Sequence, residues 1–501
     1  MKEGKVFAAD LGASGGKCFV GIFENEAFQL EELHRFSHEP VSYFIGDSKG
    51  EITERTYWDE VYLYRNILQG LNNYRREISD TLDSIGIDTW GSDGQFVTGE
   101  GDLLGRVYCY RDHRLDQMVE TLKKHIDPEK VYSITGIQFQ PFNISNQLLW
   151  FMRHRKNRLD RGYTFLPMPS IFYFSLGNIK MVDSTWASVT QLMDTRKREW
   201  STELLAALGL PEEVMPEIVP PGTVVGTLLG PVSESLRINR AKLTAVPSHD
   251  TASAYAAAPV ETGEDALIIS SGTWSLVGKI IDEPITSLDA MAANISNEGG
   301  INSIRFLKNC MGTWPIQELR RNWRDEDGVE MSWDEIVTLV RRAEAFSAFI
   351  DPDDPGFYNP PNMEDAIASF CKKTGQKVPG DRKTFLRVVY ESLALKYRLV
   401  NEQICDVSGT RSTVVNIVGG GCKNELLNRF TADAVGLPVI AGPDEATAIG
   451  NIMVQAVGLG ILQSLEESFP LIRENFTIKR YAPENPRLWE DAYKRFVHLF
   501  G

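Results

Sequence analysis

The sequence predicts an α/β protein built from two domains of one kind. Three observations carry this. A chain of 501 residues is longer than one hydrophobic core usually organises. Strand-like runs alternate with helix-like ones, which is the signature of α/β architecture rather than a β-sandwich. One local pattern also occurs twice. VFAADLGASGGKCFVGIF (6–23) and ALIISSGTWSLVGKII (266–281) each set a small-residue turn between two apolar, β-rich runs, so both read as β-hairpins. A period of about half the chain is too long for a solenoid repeat. It points instead to two like domains facing each other across a cleft, divided just after an Ala-rich helix into 1–258 and 259–501.

Element by element, DSIGIDTWGSDGQFV (83–97) reads as a strand running into a Gly-rich turn. Residues 115–210 alternate polar and apolar groups in helix-like stretches, and the Pro- and Gly-rich stretch 216–234 reads as short strands and turns. DPDDPGFYNPP (351–361) is a surface loop by composition. In VVNIVGGGCKNELLNRFTADAVGLPV (414–439) a β-branched strand meets Gly419-Gly420-Gly421, and a helix begins near Asn424. Residues 485–501 read as a terminal helix.

Composition narrows the function. The formal charge of −16 argues against a general nucleic-acid or anionic-membrane surface. No run approaches the roughly 18 apolar residues of a membrane span. Glu3 and Asp10 interrupt the region where a signal peptide needs apolar residues. The six cysteines (Cys18, Cys109, Cys310, Cys371, Cys405, Cys422) form no CxxC pair and no zinc-finger spacing, so they read as reduced thiols of a cytoplasmic protein.

DLGASGGK (10–17) invites comparison with a phosphate-binding P-loop and fails it. Only three residues separate Gly12 from Gly16, Cys18 follows Lys17, and the next segment is strand rather than helix. What survives is a glycine-rich hairpin turn whose amides can approach an anion. Asp10 at its edge is suited to organising Mg²⁺ through water, while Ser14 and Lys17 can reach phosphate oxygens. An ordinary hairpin with a solvent-facing Lys fits the segment as well. SSGTWS (270–275) offers Thr273 and nearby amides in the second half. The glycines at 419–421 allow an adenine or phosphate to lie against bare backbone, although Asn424 occupies the position where a dinucleotide fingerprint needs Gly.

PSHDTASAYAAAP (247–259) starts a helix with His249-Asp250-Thr251. Capping by Ser248 or Asp250 is the plain explanation. Catalysis by an Asp250 carboxylate held ionised at the helix start is the sharper one. His34, His38, His113, His125, His154 and His498 share no spacing and read as surface or packing residues.

DLGASGGK, GIDTWGSD, YRDHR, GIQFQPFN, SHDTASA, SSGTWSLVG, NEGG, LKNCMG, VGGGCKNELLN and AGPDEATAIGN follow one another as they do in FGGY carbohydrate kinases, and the chain resembles that family over roughly residues 5–460. The resemblance implies a two-domain actin/hexokinase/Hsp70-like ATPase (ribonuclease H-like) fold with an interdomain cleft. It implies ATP-dependent phosphorylation of a ketose, with O1 of L-rhamnulose as leading acceptor and L-fuculose or xylulose as alternatives. A non-catalytic ATP switch of the actin or Hsp70 kind is the rival from another class. Carried onto this chain, Asp250 is the catalytic base. Gly91, His249, Asp250, Thr251 and Asn309 hold the sugar. Ala13, Ser14, Gly15, Gly16, Lys17, Thr273, Gln317 and Gly420 bind ATP, and Asp10 stands near Mg²⁺. The helix start is expected to keep Asp250 ionised. Trp58-Asp59 and Arg111-Asp112 fall on the sugar side in the family, with structural salt bridges as the equal alternative. Gly94, Ser170 and Trp186 depart from the family pattern at positions expected near the sugar.

Overall fold

The structure, a computed structural model, describes residues 1–46, 50–159, 162–261 and 263–501. The chain divides into two compact units. The first comprises Met1–Ala257, Ile280–Phe306 and Ala446–Asn475; the second comprises Ala258–Lys279, Leu307–Glu445 and Phe476–Gly501.

A sheet in the order Val224–Thr227, Lys242–Thr244, Ser84–Thr89, Gly4–Gly12, Gly15–Glu24, Ala27–Ser37 organises the first unit. The expected hairpin is Gly4–Gly12 with Gly15–Glu24, antiparallel in register from Gly4↔Phe23 to Gly12↔Gly15. Gly4–Gly12 also runs parallel to Ser84–Thr89, and Lys242–Thr244 runs parallel to that strand on its other side. Ser84–Thr89 is buried at every position, as a strand covered on both faces requires. Helix Glu60–Glu77 covers part of the sheet. Asp59 caps it by accepting from the Tyr62 amide at 2.9 Å, and Leu63, Ile67, Leu71 and Tyr74 recur at helical spacing to face Phe7 and Val20 in one core. Within 216–234, strands Glu217–Val219 and Val224–Thr227 form, but Gly230–Leu236 is helical because Pro231 suits the first turn of a helix.

The second unit repeats the hairpin as Ala266–Ser271 and Trp274–Ile281. Its strands continue outward from Ala266–Ser271 through parallel Val414–Val418 and Val439–Ala441 to antiparallel Lys479–Tyr481. The long helix Arg382–Ser408 is capped by Asp381 and ends at Gly409 in the left-handed region, φ 72°. Terminal helix Pro486–Phe500 belongs to this unit. The 351–361 segment is irregular apart from one 3₁₀ turn, Pro355–Phe357, and its Phe357 is buried. Among the described residues no helix is long and apolar enough to cross a membrane.

The chain leaves the first unit after Ala257, one residue from the expected boundary, yet two later segments return to it. The units are therefore not the contiguous stretches 1–258 and 259–501. Glycine makes one return possible. Helix Ala446–Gly458 packs on helix Asp250–Ala256, and a Cβ on Gly450 would stand 1.8 Å from the Ser253 carbonyl oxygen. Gly450→Ala must push the helices apart, an overpacking loss of about 1–3 kcal/mol. A lowered melting midpoint is expected, with Gly230→Ala, whose Cβ meets nothing within 4 Å, as the unaffected control. Equal melting of both variants would refute this close packing.

Candidate active site

Three carboxylates of the first unit gather at the carboxyl ends of its parallel strands, where ligands bind in open α/β sheets. Asp10 and Asp88 are register partners on adjacent strands. The chain after Lys242–Thr244 continues alongside, with Thr89 bridged to His249 and its amide donating to the Ser248 carbonyl at 2.8 Å, which brings up Asp250. Asp88 is fully buried and accepts from Asn451 Nδ2 at 2.6 Å. Burial, then the Asp10 charge, holds its carboxyl well above the usual range, with the Asn451 bond opposing.

Asp250 is pushed up to about 7 by burial and then by Asp10, against the opposing pull of the Thr251 bonds and Arg305. Its Oδ1 accepts from the Thr251 amide at 2.6 Å and from the Thr251 hydroxyl at 3.2 Å. The helix start alone therefore does not hold this carboxyl in the usual range: lost hydration and then like charge outweigh the local donors. Ser248 does not cap either, because its amide and hydroxyl both donate to Asp183, itself the N-cap of helix Ser184–Val189.

His249 is buried beside Asp250, Nε2 to Oδ1 3.5 Å. Gly91 lies against the imidazole so closely that a Cβ would stand 2.5 Å from Nε2. Its absent side chain therefore admits the histidine. The other ring nitrogen faces Arg305 and Glu298, both almost wholly buried, and neither was singled out from sequence. The NEGG motif contains Glu298, the one sequence signal available.

In the hairpin turn Ser14 is exposed and Ala13 and Lys17 are half-buried; Lys17 is the cross-strand partner of Asp10. Gly15 and Gly16 have a packing reason to be glycine. A Cβ would meet the Phe36 carbonyl at 2.8 Å from the first and the Phe36 ring at 2.3 Å from the second. His38, read from sequence as a packing residue, braces this turn through its Nε2, 2.8 Å from the Gly12 carbonyl, and burial lowers its pKa. His34 pairs with Asn66 Oδ1 at 2.8 Å and His125 with the Ala207 carbonyl at 2.8 Å, while His113, His154 and His498 are exposed.

In the second unit Thr273, Gln317 and the Gly272 carbonyl are joined. Thr273 Oγ1 donates to Gln317 Oε1 at 3.4 Å, Gln317 Nε2 to Thr313 Oγ1 at 3.0 Å, and Thr313 Oγ1 to Gly272 O at 2.8 Å. Gly420 is exposed, and a Cβ there would meet nothing within 4 Å, whereas one on Gly421 would collide with Ser271. Asn424 caps the following helix, as its position in the sequence suggested. Asn309 is half-buried on strand Ile304–Met311, in the second unit.

Two of the three departing positions, Gly94 and Trp186, have structural accounts. At Gly94 a Cβ would lie 2.5 Å from the Leu166 carbonyl, so this backbone excludes an aromatic. Trp186 is fully buried and its Nε1 donates to the Trp90 carbonyl at 3.2 Å, one residue from Gly91. Ser170 is buried in helix Met168–Gly177. Asp59 serves as a helix cap, and Asp112 pairs with Arg114 at 3.6 Å. Trp58 Nε1 donates to buried Asp93 at 2.6 Å.

Residues 51–255 match the N-terminal domain of the FGGY family of carbohydrate kinases, and residues 267–459 its C-terminal domain. The chain is 38% identical over 497 residues to a rhamnulokinase of Bacteroides thetaiotaomicron, covering 99% of both chains. It is 36% identical to one from Pectobacterium atrosepticum, covering 100% of this chain and 97% of that one. The fold matches gluconate kinase from Lactobacillus acidophilus with a TM-score of 0.79 at 16% identity, covering 99% and 97%. It matches Plasmodium falciparum glycerol kinase with ADP at 0.77 and 15%, with the same coverage. This is the two-domain actin/hexokinase-like ATPase fold, and the chain belongs to the FGGY family of carbohydrate kinases, ATP-dependent phosphotransferases acting on a sugar hydroxyl.

Proposed function

We propose that this chain transfers the γ-phosphate of ATP to O1 of L-rhamnulose. The observation that carries the reading is Asp250: a carboxylate whose proton affinity lies near neutrality, at the carboxyl ends of parallel strands, beside a buried histidine. A general base works best when its pKa is near the operating pH. The near-full-length similarity to rhamnulokinases supports L-rhamnulose as the acceptor.

In this reading Asp250 takes the proton from the C1 hydroxyl, while His249, Thr251, Asn309 and the Gly91 backbone hold the sugar. Phosphoryl transfer asks for in-line placement and charge neutralisation more than covalent help. Ala13, Ser14, Gly15, Gly16 and Lys17 face the phosphates, and Thr273, Gln317 and Gly420 contact the nucleotide. Mg²⁺ fits this donor set. Among the described residues no group of three or more His, Cys, Asp or Glu could hold a metal ion by itself. Mg²⁺ commonly binds one or two carboxylates plus substrate phosphates and keeps several waters. Asp10 would hold it, with Asp88 adjacent, and its chemistry there would be neutralisation of phosphate charge. Six unpaired, buried thiols support a reducing, cytoplasmic setting.

A coupled ADP-release assay with Mg-ATP against L-rhamnulose, L-fuculose and xylulose should show clear preference for L-rhamnulose. Preference for another ketose would move the assignment within the family, and no ketose-dependent release would end it. Asp250→Ala is expected to cost about 10²–10⁴-fold in turnover, with ATP-induced thermal stabilisation retained. Loss of both together would make Asp250 a structural residue.

A carboxyl with a raised folded-state pKa binds its proton more tightly folded than unfolded. Its stabilising proton is present at low pH and lost as pH rises towards about 7. In metal- and nucleotide-free protein, the Asp250 carboxyl carbon signal should titrate near 7. A midpoint near 4 would refute this. Gly420→Ala has room within the protein and so should not lower the melting point. Its KM for ATP is expected to rise roughly tenfold, the equivalent of about 1.4 kcal/mol. An unchanged KM would remove Gly420 from the nucleotide site.

A further inference from the structure

The imidazole of His249 is 6% exposed, with Gly91 pressed against its Nε2 edge. Its Nδ1 edge meets Arg305, whose Nη2 lies 3.2 Å away. A guanidinium carries five N–H donors and no acceptor, and it keeps its charge at any working pH. That contact is therefore a hydrogen bond donated to a lone pair on Nδ1. Burial, with the Arg305 charge adding to it, pushes the His249 pKa well down, so the ring is neutral. A neutral imidazole has one proton, and here it must sit on Nε2.

Arg305 is itself tightly placed. Its Nε donates to the Gly299 carbonyl at 2.8 Å, and its Nη1 pairs with Glu298 Oε2 at 3.1 Å. Arg305 is 1% and Glu298 3% exposed, so the pair has no solvent to drift into. Glu298 Oε2 also stands 3.5 Å from His249 Nδ1 and by itself would favour the opposite tautomer, with Nδ1 donating. The guanidinium contact is shorter, and the carboxylate charge is balanced by that guanidinium as an ion pair at 3.1 Å, although Oε2 accepts no hydrogen bond from Nη1. The segment Ile280–Phe306 that carries both residues is one of the two that return to the first unit.

We infer that Arg305, anchored by Glu298 and the Gly299 carbonyl, is a positioning residue for phosphoryl transfer: it fixes His249 as the Nε2–H tautomer and so presents an N–H donor towards the Asp250 carboxylate and the hydroxyl that Asp250 deprotonates. The Nε2 atom is 3.5 Å from Asp250 Oδ1. With the proton on Nε2 the histidine favours the anionic base and offers a hydrogen bond to the acceptor oxygen. With the proton on Nδ1, a lone pair would face a carboxylate, and both contributions would turn repulsive. The catalytic consequence rests on the kinase reading; the tautomer does not.

The test begins with the full-length wild-type protein, without substrate. In ¹⁵N spectra of histidine-labelled protein, His249 should show a protonated Nε2 and an unprotonated Nδ1 throughout neutral pH. A proton on Nδ1, or a doubly protonated ring, overturns the inference without any variant. Arg305→Met strands Glu298 as a buried charge, so it is paired with the double variant Arg305→Met/Glu298→Gln, which removes both charges. The folded variant should show mixed His249 tautomers and lose roughly 10²-fold in sugar-dependent kcat, the scale of a small misplacement. KM for ATP should stay unchanged. Arg305→Lys, which keeps one donor, should recover part of the loss. Unchanged tautomer and kcat in the double variant overturn the inference. Absence of ketose phosphorylation by the wild type would sink the kinase reading instead, and the spectra would still decide the tautomer.

Discussion

Crowding of like charge is the constraint on which the first unit is built. Parallel register sets Asp10 beside Asp88, and the continuation of the neighbouring strand adds Asp250. Burial first, and then the charge of Asp10, drives both Asp88 and Asp250 towards their protonated forms. Much of the surrounding architecture opposes that drift. Asn451 donates to Asp88, and Gln455 holds Asn451 Oδ1 at 2.7 Å while donating to the Phe7 carbonyl at 2.9 Å. Thr251 donates twice to Asp250. The helix that supplies Asn451 and Gln455 comes from some two hundred residues beyond Asp250 in the chain. It can approach only because Gly450 and Gly86 lack side chains: a Cβ on Gly86 would stand 2.5 Å from Asn451 Oδ1. One of the two returning segments thus supplies the donors that oppose the protonation of Asp88.

Two neutral histidines serve the same site as oriented dipoles rather than charges. At His38 the partner is a carbonyl, which can only accept, so Nε2 carries the proton. At His249 the partner is a guanidinium, which can only donate, so Nδ1 carries the lone pair. Opposite partners on opposite ring atoms lead to the same tautomer. A charged imidazole at either place would partly cancel the carboxylate field that raises Asp250. Burial prevents this by keeping both rings out of water.

The hairpins, the Gly419–Gly421 elbow and the Asp250 helix were legible in the sequence because each is a local pattern of strand, turn and helix signals. The Asp10–Asp88 pairing was not, because register between strands some seventy residues apart leaves no local mark. Arg305 and Glu298 were hidden for a related reason: charged residues in strands read as solvent-facing, and only tertiary packing buries them. The upward push on the Asp250 pKa was hidden too, because the helix start is local and both burial and the opposing charge are not. The opposing charge, Asp10, sits two hundred and forty residues away. That Gly15 and Gly16 must also be glycine to pack against the Phe36 strand was equally hidden, because that strand's register leaves no local mark.

Gly94 and Trp186, two of the departures from the family pattern, have reasons in the packing of the protein itself. Asp93 adopts a left-handed backbone, φ 74°, and its buried carboxylate accepts from Trp58 Nε1, Trp90 Nε1, the Tyr110 amide and Gln147 Nε2 at 2.6 to 3.1 Å. Gly94 follows because the chain there runs against the Leu166 carbonyl with no space for a Cβ. Trp186 fills the core behind and holds the Trp90 carbonyl. Both departures therefore bear on the placement of Trp90 and Gly91, and Gly91 in turn bounds His249. An effect of Trp186 on acceptor choice is expected to pass through the backbone at 90–91. An altered hydroxyl contact from the indole of Trp186 is excluded by its complete burial and its engaged N–H.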